Sequence, residues 1–556
     1  MAKRVDRRAF LRWTALGAGL PWSWACRSEI PQRHFDIPGR IVNPAPVPGH
    51  LLRTPIGDFP PPTGPLYDAV IVGGGVSGLA AAWRLRRAGL ERFLLLELED
   101  EVGGTARAGQ SGGAVFPWGA HYINIPPAEA DCIHTILQDL QVITGYDSAG
   151  RPQVDPQHLL RWPHERLFSG GRWVEDLNPL VDAGAAAWQD LEAFEDAMLR
   201  WTLYRGRDGR PAFAMPLLYS TEDTAARGLE QITMAQYLHQ QGWDSPGLRW
   251  LVDYACRDDY GSLATQTSAW AGIHYFACRT YDRRVQDQYP ADTLTWPEGN
   301  AYLCRGLAGR LGDGQILTGS LVRHIVPAGD NLHINWVDVA QNRLHSIRAR
   351  TVVYAGKLHT APYVVAGLPQ DQTGAMGRLA YSPWLVAAIT VSHLPDGPGV
   401  APAWDNILEQ SPSLGYIVAD HQLGGGEGRR VLVYYLPFAE DIATARQNLL
   451  DRSHPFWVDF IMGDLLVAHP HLADIVENID IYRWGHGMVR PGPGQLWGPD
   501  SLLRRRPHGG VAFGSCDATG LPLFEEACFS GLWAAEHCLT RLGLDDPTLL
   551  EGLLRV

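Results

Sequence analysis

The sequence predicts an α/β fold, and three observations lead to this prediction. In "YDAVIVGGGVSGLAAAWRLRRAGLERFLLLELE", an apolar strand runs directly into three spaced glycines and a helix. A second apolar strand follows at once and ends on an acid, Glu97. Near the carboxyl end, "GGVAFGSCDATG" is another apolar strand that leads through small residues to an acid. Strands that alternate with helices are typical of α/β proteins.

The glycine run in the first unit has the spacing of a dinucleotide-binding loop. Gly73 permits a tight turn, Gly75 lets the backbone approach a pyrophosphate, and Gly78 lets the helix pack closely on the strand. The free N–H groups at the start of that helix suit a phosphate. Glu97, 19 residues beyond Gly78, can accept hydrogen bonds from ribose hydroxyls. The unit predicts an ADP-containing dinucleotide, and by itself it does not distinguish FAD from NAD.

Segments at both ends of the chain resemble the flavin amine oxidase and protoporphyrinogen oxidase superfamily of glutathione-reductase-like flavoproteins. "ELEDEVGGTARAG" and "FPWGAHYIN" follow the second strand, and "GGVAFGSCDATGLPLFEEACFSGLWAAEHCL" is similar to the closing motif of that superfamily. The resemblance covers residues 67–540. It implies FAD as the cofactor. It also implies a discontinuous, Rossmann-like FAD-binding domain with an inserted α+β substrate domain.

The same resemblance implies which residues contact FAD. Thr105 stands where the superfamily has an arginine, so the pyrophosphate charge would be met by Arg107 or by backbone N–H groups. Asp517 is expected beside the ribityl chain. A helix that starts at Glu526, where glycine is more common, would point at the pyrimidine edge of the flavin. The residues expected at the cofactor are Gly73, Gly75, Val76, Ser77, Gly78, Glu97, Leu98, Gly103, Gly104, Thr105, Arg107, Gly119, Ala120, His121, Val322, Ala355, Gly514, Asp517, Glu526 and Ala527.

The amino-terminal residues have the order of an export signal. Arg7 and Arg8 precede a short apolar run that ends at Ala25, as in a twin-arginine signal. A membrane span needs about twenty apolar residues, and this run is shorter. Cys26 follows, as in a bacterial lipoprotein, so both free release into the periplasm and a lipid tether to the membrane are open. Twin-arginine export suits a protein that receives FAD before it crosses the membrane.

These features together predict the domain limits. Residues 1–26 form the signal and 27–66 a proline-rich linker. The FAD-binding domain has three parts, at 67–125, 291–360 and 481–556, and the substrate domain has two, at 126–290 and 361–480.

Two stretches supply candidate substrate residues. "DYACRDDYGSLATQTSAWAGIHYFA" combines Asp258 and Asp259 with aromatic rings, although the acids also suit a helix cap or a structural ion pair and the rings suit a core. "YRWGHGMVRPGPGQLWG" places an aromatic residue where the superfamily has one near the flavin face. An aromatic wall beside an acid would bind an ammonium group. The candidates are Trp484, His121, Trp270, His274 and Phe524, and the sequence assigns no catalytic residue and no metal ligand.

Charge and chemistry narrow the function. The formal charge is -13 and residues 1–25 carry +4, so the remainder carries about -17, which argues against nucleic acid as a partner. The leading hypothesis is oxidation of a small cationic amine, with polyamines among the candidates, by hydride transfer to flavin N5. Desaturation of C–C or ring C–N bonds is an alternative, and so is a non-catalytic flavoprotein in an envelope complex.

The absence of one lysine leaves the identity of the electron acceptor open. Many amine oxidases carry a lysine on the strand that corresponds to "YSPWLVAAITVS", and this stretch has none. Lys357 lies earlier, in "YAGKLHTAP". Both O2 and another redox carrier are therefore candidate acceptors.

Overall fold

The computed structural model describes residues 34–43, 48–55, 57–111, 113–127, 129–148, 150–160, 163–175, 177, 185–278, 293–421, 428–544 and 546–550. The predicted export signal, with Arg7, Arg8 and Cys26, lies outside these residues. In the described ranges no helix is both long enough and apolar enough to cross a membrane.

The chain alternates strands and helices. The strands are β1 (Leu66–Val72), β2 (Phe93–Leu96), β3 (Ala108–Ser111), β4 (Ala114–Pro117), β5 (Tyr122–Asn124), β6 (Ile143–Tyr146), β7 (Pro152–Val154), β8 (Glu165–Ser169), β9 (Arg172–Glu175), β10 (Thr293–Thr295), β11 (Ile316–Leu317), β12 (Ser320–Ala328), β13 (Asn331–Asp338), β14 (Arg343–Tyr354), β15 (Tyr381–Val391), β16 (Asp405–Leu408), β17 (Tyr416–Val418), β18 (Arg430–Pro437), β19 (Val476–Val489) and β20 (Val511–Phe513). The α-helices are α1 (Val76–Arg87), α2 (Asp131–Asp139), α3 (Ala185–Leu203), α4 (Thr224–Arg227), α5 (Met234–Gln241), α6 (Pro246–Tyr260), α7 (Ala269–Cys278), α8 (Ala301–Ala308), α9 (Ala361–Val364), α10 (Gln370–Gly377), α11 (Ile442–Asp451), α12 (His454–Leu465), α13 (Pro499–Arg505), α14 (Cys516–Thr519) and α15 (Phe524–Leu542).

The first sheet is the dinucleotide sheet. Its order is β11-β2-β1-β14-β13-β12, with β20 beside the carboxyl half of β14. Strand β1 pairs in parallel with β2 and β14, and β14 pairs in parallel with β20, so the carboxyl ends of four strands meet at one edge. Strands β12, β13 and β14 form an antiparallel meander at the other side. This arrangement confirms the predicted α/β class and the Rossmann-like sheet.

Helices α1 and α15 cover the dinucleotide sheet and are joined by a buried ion pair. Arg84 on α1 is fully buried, and its Nε lies 2.8 Å from Oε1 of Glu536 on α15. Its Nη1 lies 2.6 Å from Asp546, and its Nη2 donates to the carbonyl of Pro547 at 3.1 Å. One guanidinium therefore holds α1, α15 and the carboxyl-terminal segment together.

The second sheet belongs to the inserted part of the chain. Its order is β19-β15-β18-β17-β16-β8-β9. Because side chains alternate along a strand, Leu385 and Ala387 of β15 pack in the core under α11 and α12, whereas Trp384 and Val386 face the dinucleotide domain. Helices α3, α5, α6 and α7 form a separate helical core. Strand β19 continues to Val489, so the predicted domain limit at 480/481 falls inside a strand of this sheet.

The described parts of the predicted linker lie against both sheets. Val42 and Ile481 pair through a backbone hydrogen bond of 2.8 Å, so residues 34–43 run beside β19. Farther along, the guanidinium of Arg323 on β12 donates to the carbonyls of Leu51 and Thr54. The segment at Pro48–Arg53 is thereby held at the edge of the dinucleotide sheet.

We expect the Arg84 ion pair to matter for stability far more than a surface pair on the same helix. Arg84→Met leaves the buried carboxylate of Glu536 and the half-buried carboxylate of Asp546 without their cation, which costs about 3–5 kcal/mol of unfolding free energy. Arg86, which pairs with the exposed Glu91 at 3.3 Å, is the matched control. Arg86→Met should change stability by less than about 0.5 kcal/mol. Urea unfolding followed by circular dichroism measures both, and equal losses would contradict this role of Arg84.

Candidate active site

The site begins where two glycine loops meet at the carboxyl edge of the dinucleotide sheet. The N–H of Gly103 donates to the carbonyl of Gly74 at 2.8 Å. Glu97, at the end of β2, is buried and accepts from the N–H groups of Gly74 and of Glu99, the second at 2.8 Å. Burial raises the pKa of Glu97, and these two hydrogen bonds favour its charged form. The predicted ribose acceptor is therefore also the clamp that fixes the first glycine loop.

The open space at this edge fits a dinucleotide phosphate. A Cβ built on Gly75 would meet only the Cα of Gly104, at 3.9 Å, so the backbone at Gly75 is accessible. Helix α1 begins directly after Gly75, and no side chain caps its first N–H groups. Gly78 has no such space, because a Cβ there would lie 1.9 Å from the carbonyl oxygen of Gly73. Gly75 thus faces the groove, and Gly78 sets the contact between helix and strand. The flanking Val76 and Ser77 are buried in the first turn of α1.

Arg107 does not face this groove as a free cation. Its guanidinium lies 2.9 Å from Asp100, 2.8 Å from Glu101 and 3.6 Å from Glu99, and it donates to the hydroxyl of Tyr482 at 3.3 Å. Three carboxylates therefore already balance its charge. Of the two sequence-based alternatives for the pyrophosphate, the geometry favours the backbone N–H groups over Arg107.

The adenine end and the middle of the groove contain further predicted residues. Leu98 contacts the Pro48–Arg53 segment, since its Cδ2 is 3.7 Å from a Cβ built on Gly49. Val322 is buried on β12. Ala355 follows β14 and lies against the first glycine loop, with its carbonyl carbon 3.1 Å from a Cβ built on Gly73.

Asp517 is held mainly by protein donors. Its Oδ2 accepts from the N–H of Leu358 at 2.9 Å and from the hydroxyl of Tyr381 at 2.7 Å. Its Oδ1 lies 3.9 Å from Nζ of Lys357. Gly514, just before it, is in close contact with α15, because a Cβ there would lie 2.8 Å from Cβ of Ala534. Asp517 thus ties the end of β20 to the chain that follows β14.

The first turn of α15 points at a cavity, but Glu526 does not. Phe524 and Glu525 line the cavity. Glu526 is fully buried on another side of the helix, where its Oε1 accepts from the N–H of Leu217, and burial raises its pKa to about 7. Ala527 packs in the core beneath the dinucleotide sheet. The carboxylate that replaces the superfamily's glycine therefore leaves the cavity unobstructed.

The cavity lies between the dinucleotide edge and the inserted sheet. It contains about 1020 Å³ of space not filled by protein atoms, its open mouth included. Thr105, Gly119, Ala120 and His121 line it from the dinucleotide side. The inserted part contributes residues from α6, β15, β16, β17, β18 and β19, among them Tyr254, Asp258, Asp259, Trp384, Asp405, Tyr416, Tyr435 and Trp484.

Aromatic rings form the walls of the cavity. Trp384 and Trp484 are directly paired across β15 and β19, and Trp484 Nε1 donates to the carbonyl of Trp118 at 2.6 Å. The ring of His121 stacks on Tyr435 with centroids 4.8 Å apart. Burial lowers the pKa of His121 to about 4, so its imidazole is neutral at pH 7. The walls present uncharged π faces on opposite sides.

Carboxyl groups also line the cavity. Asp405 begins β16, and its Oδ2 accepts from the hydroxyl of Tyr254 at 3.4 Å. Burial raises the pKa of Asp405 well above its usual range, and the neighbouring charges of Asp258 and Glu165 raise it further. Asp258 itself accepts from Tyr122 at 3.4 Å. A cation that entered the cavity would relieve this repulsion.

Two predicted substrate residues lie elsewhere. Trp270 and His274 are fully buried in the helical core and stack on each other with centroids 5.1 Å apart. His274 Nε2 donates to the carbonyl of Ala214 at 3.2 Å. The spacing of four residues placed both rings on one face of α7, and that face packs against other helices. The structure brings Trp484, His121 and Phe524 to the cavity and not these two.

Sequence reasoning missed most of the cavity lining from the inserted sheet. Trp384, Asp405 and Tyr435 come from three strands distant in the chain, and nothing local marks them. Asp405 begins the strand "DNIL" beside the polar Asn406, so an acid at this position does not stand out from its neighbours. Among the described residues, no group of His, Cys, Asp and Glu side chains is arranged to hold a metal ion.

Comparison with known proteins agrees with this geometry. Residues 71–140 match the family model of the NAD(P)-binding Rossmann-like domain. The protein named flavin-containing monoamine oxidase AofH, from Mycobacterium tuberculosis, is 26% identical over 260 residues, which cover 46% of this chain and 51% of AofH. A lycopene-forming phytoene desaturase from Paracoccus is 34% identical over 103 residues, 18% of this chain and 19% of the desaturase. The chain thus spans about half the length of AofH.

Solved structures extend the similarity in fold to most of the chain. Putrescine oxidase bound to putrescine superposes with a TM-score of 0.63 at 18% identity, covering 86% of this chain and 99% of the oxidase. Cyclohexylamine oxidase from Brevibacterium oxydans gives a TM-score of 0.60 at 15% identity, covering 86% and 100%. The chain has the fold of the flavin amine oxidases.

Substitution of Gly75 is predicted to weaken dinucleotide binding, whereas substitution of Gly78 is predicted to lower stability. Gly75→Ala adds a methyl group only to the open groove, so we expect dinucleotide affinity to fall at least about tenfold while unfolding free energy changes by less than about 0.5 kcal/mol. Gly78→Ala forces the helix from the strand and should cost about 1–3 kcal/mol of stability. FAD titration and thermal unfolding of the apo-protein measure both. FAD affinity equal to wild type in Gly75→Ala would show that the groove is not the phosphate site.

Proposed function

We propose that this protein is an FAD-dependent oxidoreductase of the flavin amine oxidase superfamily and that it oxidises a small cationic amine. The observation that carries the proposal is the cavity, which joins a dinucleotide edge to aromatic walls and buried carboxyl groups. Amine oxidases with the same fold act on putrescine and cyclohexylamine, as their names state. Bound FAD would supply the acceptor for the hydride that leaves the carbon atom next to the amine nitrogen.

The residues of the cavity would bind and orient the amine. The π faces of Trp384, Trp484 and Tyr435 attract an ammonium group. Asp405 and Asp258 line the same cavity and, when ionised, attract the same charge. Polyamines, which carry a second ammonium group, are therefore within the proposed substrate class.

Proton transfer within the cavity can be assigned to Asp405. The amine must lose a proton before its nitrogen lone pair can assist loss of hydride. Desolvation lowers the pKa of an ammonium group, and burial raises the pKa of Asp405. A bound ammonium group favours the ionised form of Asp405, which can accept that proton. The raised pKa then keeps the proton on the carboxyl group and leaves the amine nitrogen neutral. His121 is neutral at pH 7 and would keep the wall beside it uncharged.

Desaturation of an apolar substrate is the second candidate, and the phytoene desaturase relative supports it. The cavity chemistry disfavours it, since Asp258, Asp259, Asp405 and Glu525 are all in the lining. An apolar polyene would offer these polar groups neither a hydrogen bond nor an opposite charge. A non-catalytic flavoprotein would not need such a lined cavity.

The electron acceptor and the location are part of the proposal. No lysine is among the lining residues in the described part of the chain, and Lys357 instead donates to the carbonyl of Gly487 at 3.1 Å. Both O2 and a redox carrier are candidate acceptors. The sequence of residues 1–26 supports twin-arginine export to the periplasm, and both free release and a lipid tether at Cys26 are open.

Anaerobic reduction tests the proposed reaction. We expect the purified protein to show the visible absorption bands of FAD. A diamine or an alkylamine should bleach the flavin band at about 450 nm. Alcohols with the same carbon skeleton are the control and should leave the band unchanged. Bound FAD that no amine reduces, while an apolar polyene does, would favour the desaturase.

Asp405→Asn tests the role of the cavity acid. Because a charge-assisted contact contributes about 1.5–3 kcal/mol, the amine concentration for half-maximal reduction should rise about tenfold or more. Asp330→Asn, at an exposed turn, is the control and should change nothing. FAD content should be the same in both variants. A half-saturating amine concentration unaltered in Asp405→Asn would remove Asp405 from substrate binding.

A further inference from the structure

A second cluster of charged groups lies outside the cavity, beside the dinucleotide groove. It consists of six basic side chains from four segments, and we call it the basic cluster. Lys357 and His359 follow β14, His486 is on β19, Arg446 is on α11, and the Pro48–Arg53 segment supplies two more. Its members are His50, Arg53, Lys357, His359, Arg446 and His486.

The members of the basic cluster are in direct contact or in electrostatic reach of one another. The rings of His359 and His486 stack with centroids 4.6 Å apart. Arg446 is fixed by hydrogen bonds to the carbonyls of Gly485 at 2.6 Å and Tyr381 at 3.0 Å. These backbone anchors hold the guanidinium beside the two imidazoles. The cluster is therefore built into the fold and is not a set of unconstrained surface side chains.

The cluster lacks a matching negative charge. Within the described residues, its ion pair is that of Lys357 with Asp517, at 3.9 Å. Nδ1 of His359 is buried, and the described structure gives it no hydrogen-bond partner. Burial, together with the surrounding cations, lowers the pKa of His359 to about 4 and that of His486 to about 3. At pH 7 the two imidazoles are therefore neutral, and Lys357, Arg446 and Arg53 are the cations of the cluster. An anion placed among them would pair with these cations and would also favour protonation of the imidazoles.

The position of the cluster points to the cofactor. Lys357 comes directly after Gly356, whose N lies 3.2 Å from a Cβ built on Gly73 in the phosphate loop. The Pro48–Arg53 segment touches Leu98, next to the ribose acceptor Glu97. The superfamily's arginine is Thr105 here, and Arg107 is neutralised by three acids. The segment that carries Lys357 and His359 thus starts beside the phosphate loop, and the segment that carries His50 and Arg53 lies near the ribose acceptor Glu97.

We propose that the basic cluster provides the positive charge that neutralises the FAD diphosphate, in place of the arginine that this chain lacks. Lys357, His359 and His486 line the side of the groove next to the sheet edge. His50 and Arg53 close it from the amino-terminal segment. The inference rests on FAD as the cofactor in the proposed function, but it does not depend on the substrate.

Affinity measurements with matched variants test this assignment. Apo-protein is titrated with FAD and, separately, with riboflavin, which has no phosphate. We expect Lys357→Gln and His486→Gln each to weaken FAD binding about tenfold and riboflavin binding little, because charge-assisted contacts to phosphate are strong. Arg107→Gln is the control and should change FAD affinity less than twofold. Thermal unfolding of each apo-protein monitors the fold.

The pH dependence provides a second readout. Both imidazoles are neutral in the free protein at pH 5–7, and an adjacent diphosphate favours their protonated forms. FAD binding should therefore take up protons and become tighter as pH falls from 7 to 5. Other charged and titratable groups face these imidazoles, and the proteins compared in this experiment must all retain them. These groups are Lys357, Arg446, Arg53, His50, Asp517, Tyr381 and Cys516. In the double variant His359→Gln/His486→Gln the uptake, measured by calorimetry in two buffers, should disappear.

Several outcomes would overturn the proposal. One is wild-type FAD affinity in Lys357→Gln and His486→Gln. Another is an equal loss of riboflavin and FAD, which would indicate a merely structural role. A larger loss of FAD affinity in Arg107→Gln than in Lys357→Gln would show that Arg107 binds the diphosphate. Failure of wild-type protein to bind FAD at all would instead refute the proposed cofactor, so the two failures are distinguishable.

Discussion

The close approach of two glycine loops at the end of β1 is the constraint on which the rest of the structure depends. Gly74 and Gly103 share a backbone hydrogen bond of 2.8 Å, and Glu97 fixes the N–H of Gly74 from beneath. Any side chain at Gly78 would separate helix α1 from its strand. The groove, the start of α1 and the cavity side at Thr105 all follow from this contact. A buried carboxylate here is stable because two N–H groups satisfy it.

The inserted sheet supplies the part of the cavity lining that the dinucleotide edge does not. It adds Trp384, Trp484, Tyr435 and Asp405 to the cavity that His121 lines from the dinucleotide side, where His121 stacks on Tyr435. Charge is divided between the two sides of the site. Acids line the cavity, where a cationic amine would bind, and basic groups follow the chain segment beside the phosphate loop, where a diphosphate would bind. This separation keeps substrate and cofactor charges from competing for the same residues.

Much of the dinucleotide domain could be predicted from sequence, because its signals are local. The β1–α1–β2 unit and the closing helix carry their glycines, acids and apolar runs within short stretches. The cavity could not be predicted in the same way, since Asp405 and Tyr435 meet only through pairing of distant strands. Trp270 shows the reverse error: helical spacing revealed a shared face but not what that face packs against. The acids that engage Arg107 were visible in "ELEDE", seven residues or so before it, yet only the fold shows that they turn back to meet it.

The most direct test of this account is a crystal structure of the purified protein with its cofactor and a bound amine. The account predicts FAD with its diphosphate between the phosphate loop and the basic cluster. It also predicts the flavin ring against Gly119–His121, and the amine between Trp384 and Trp484 with its charge toward Asp405. A flavin ring outside this cavity, or an amine bound away from these residues, would contradict it.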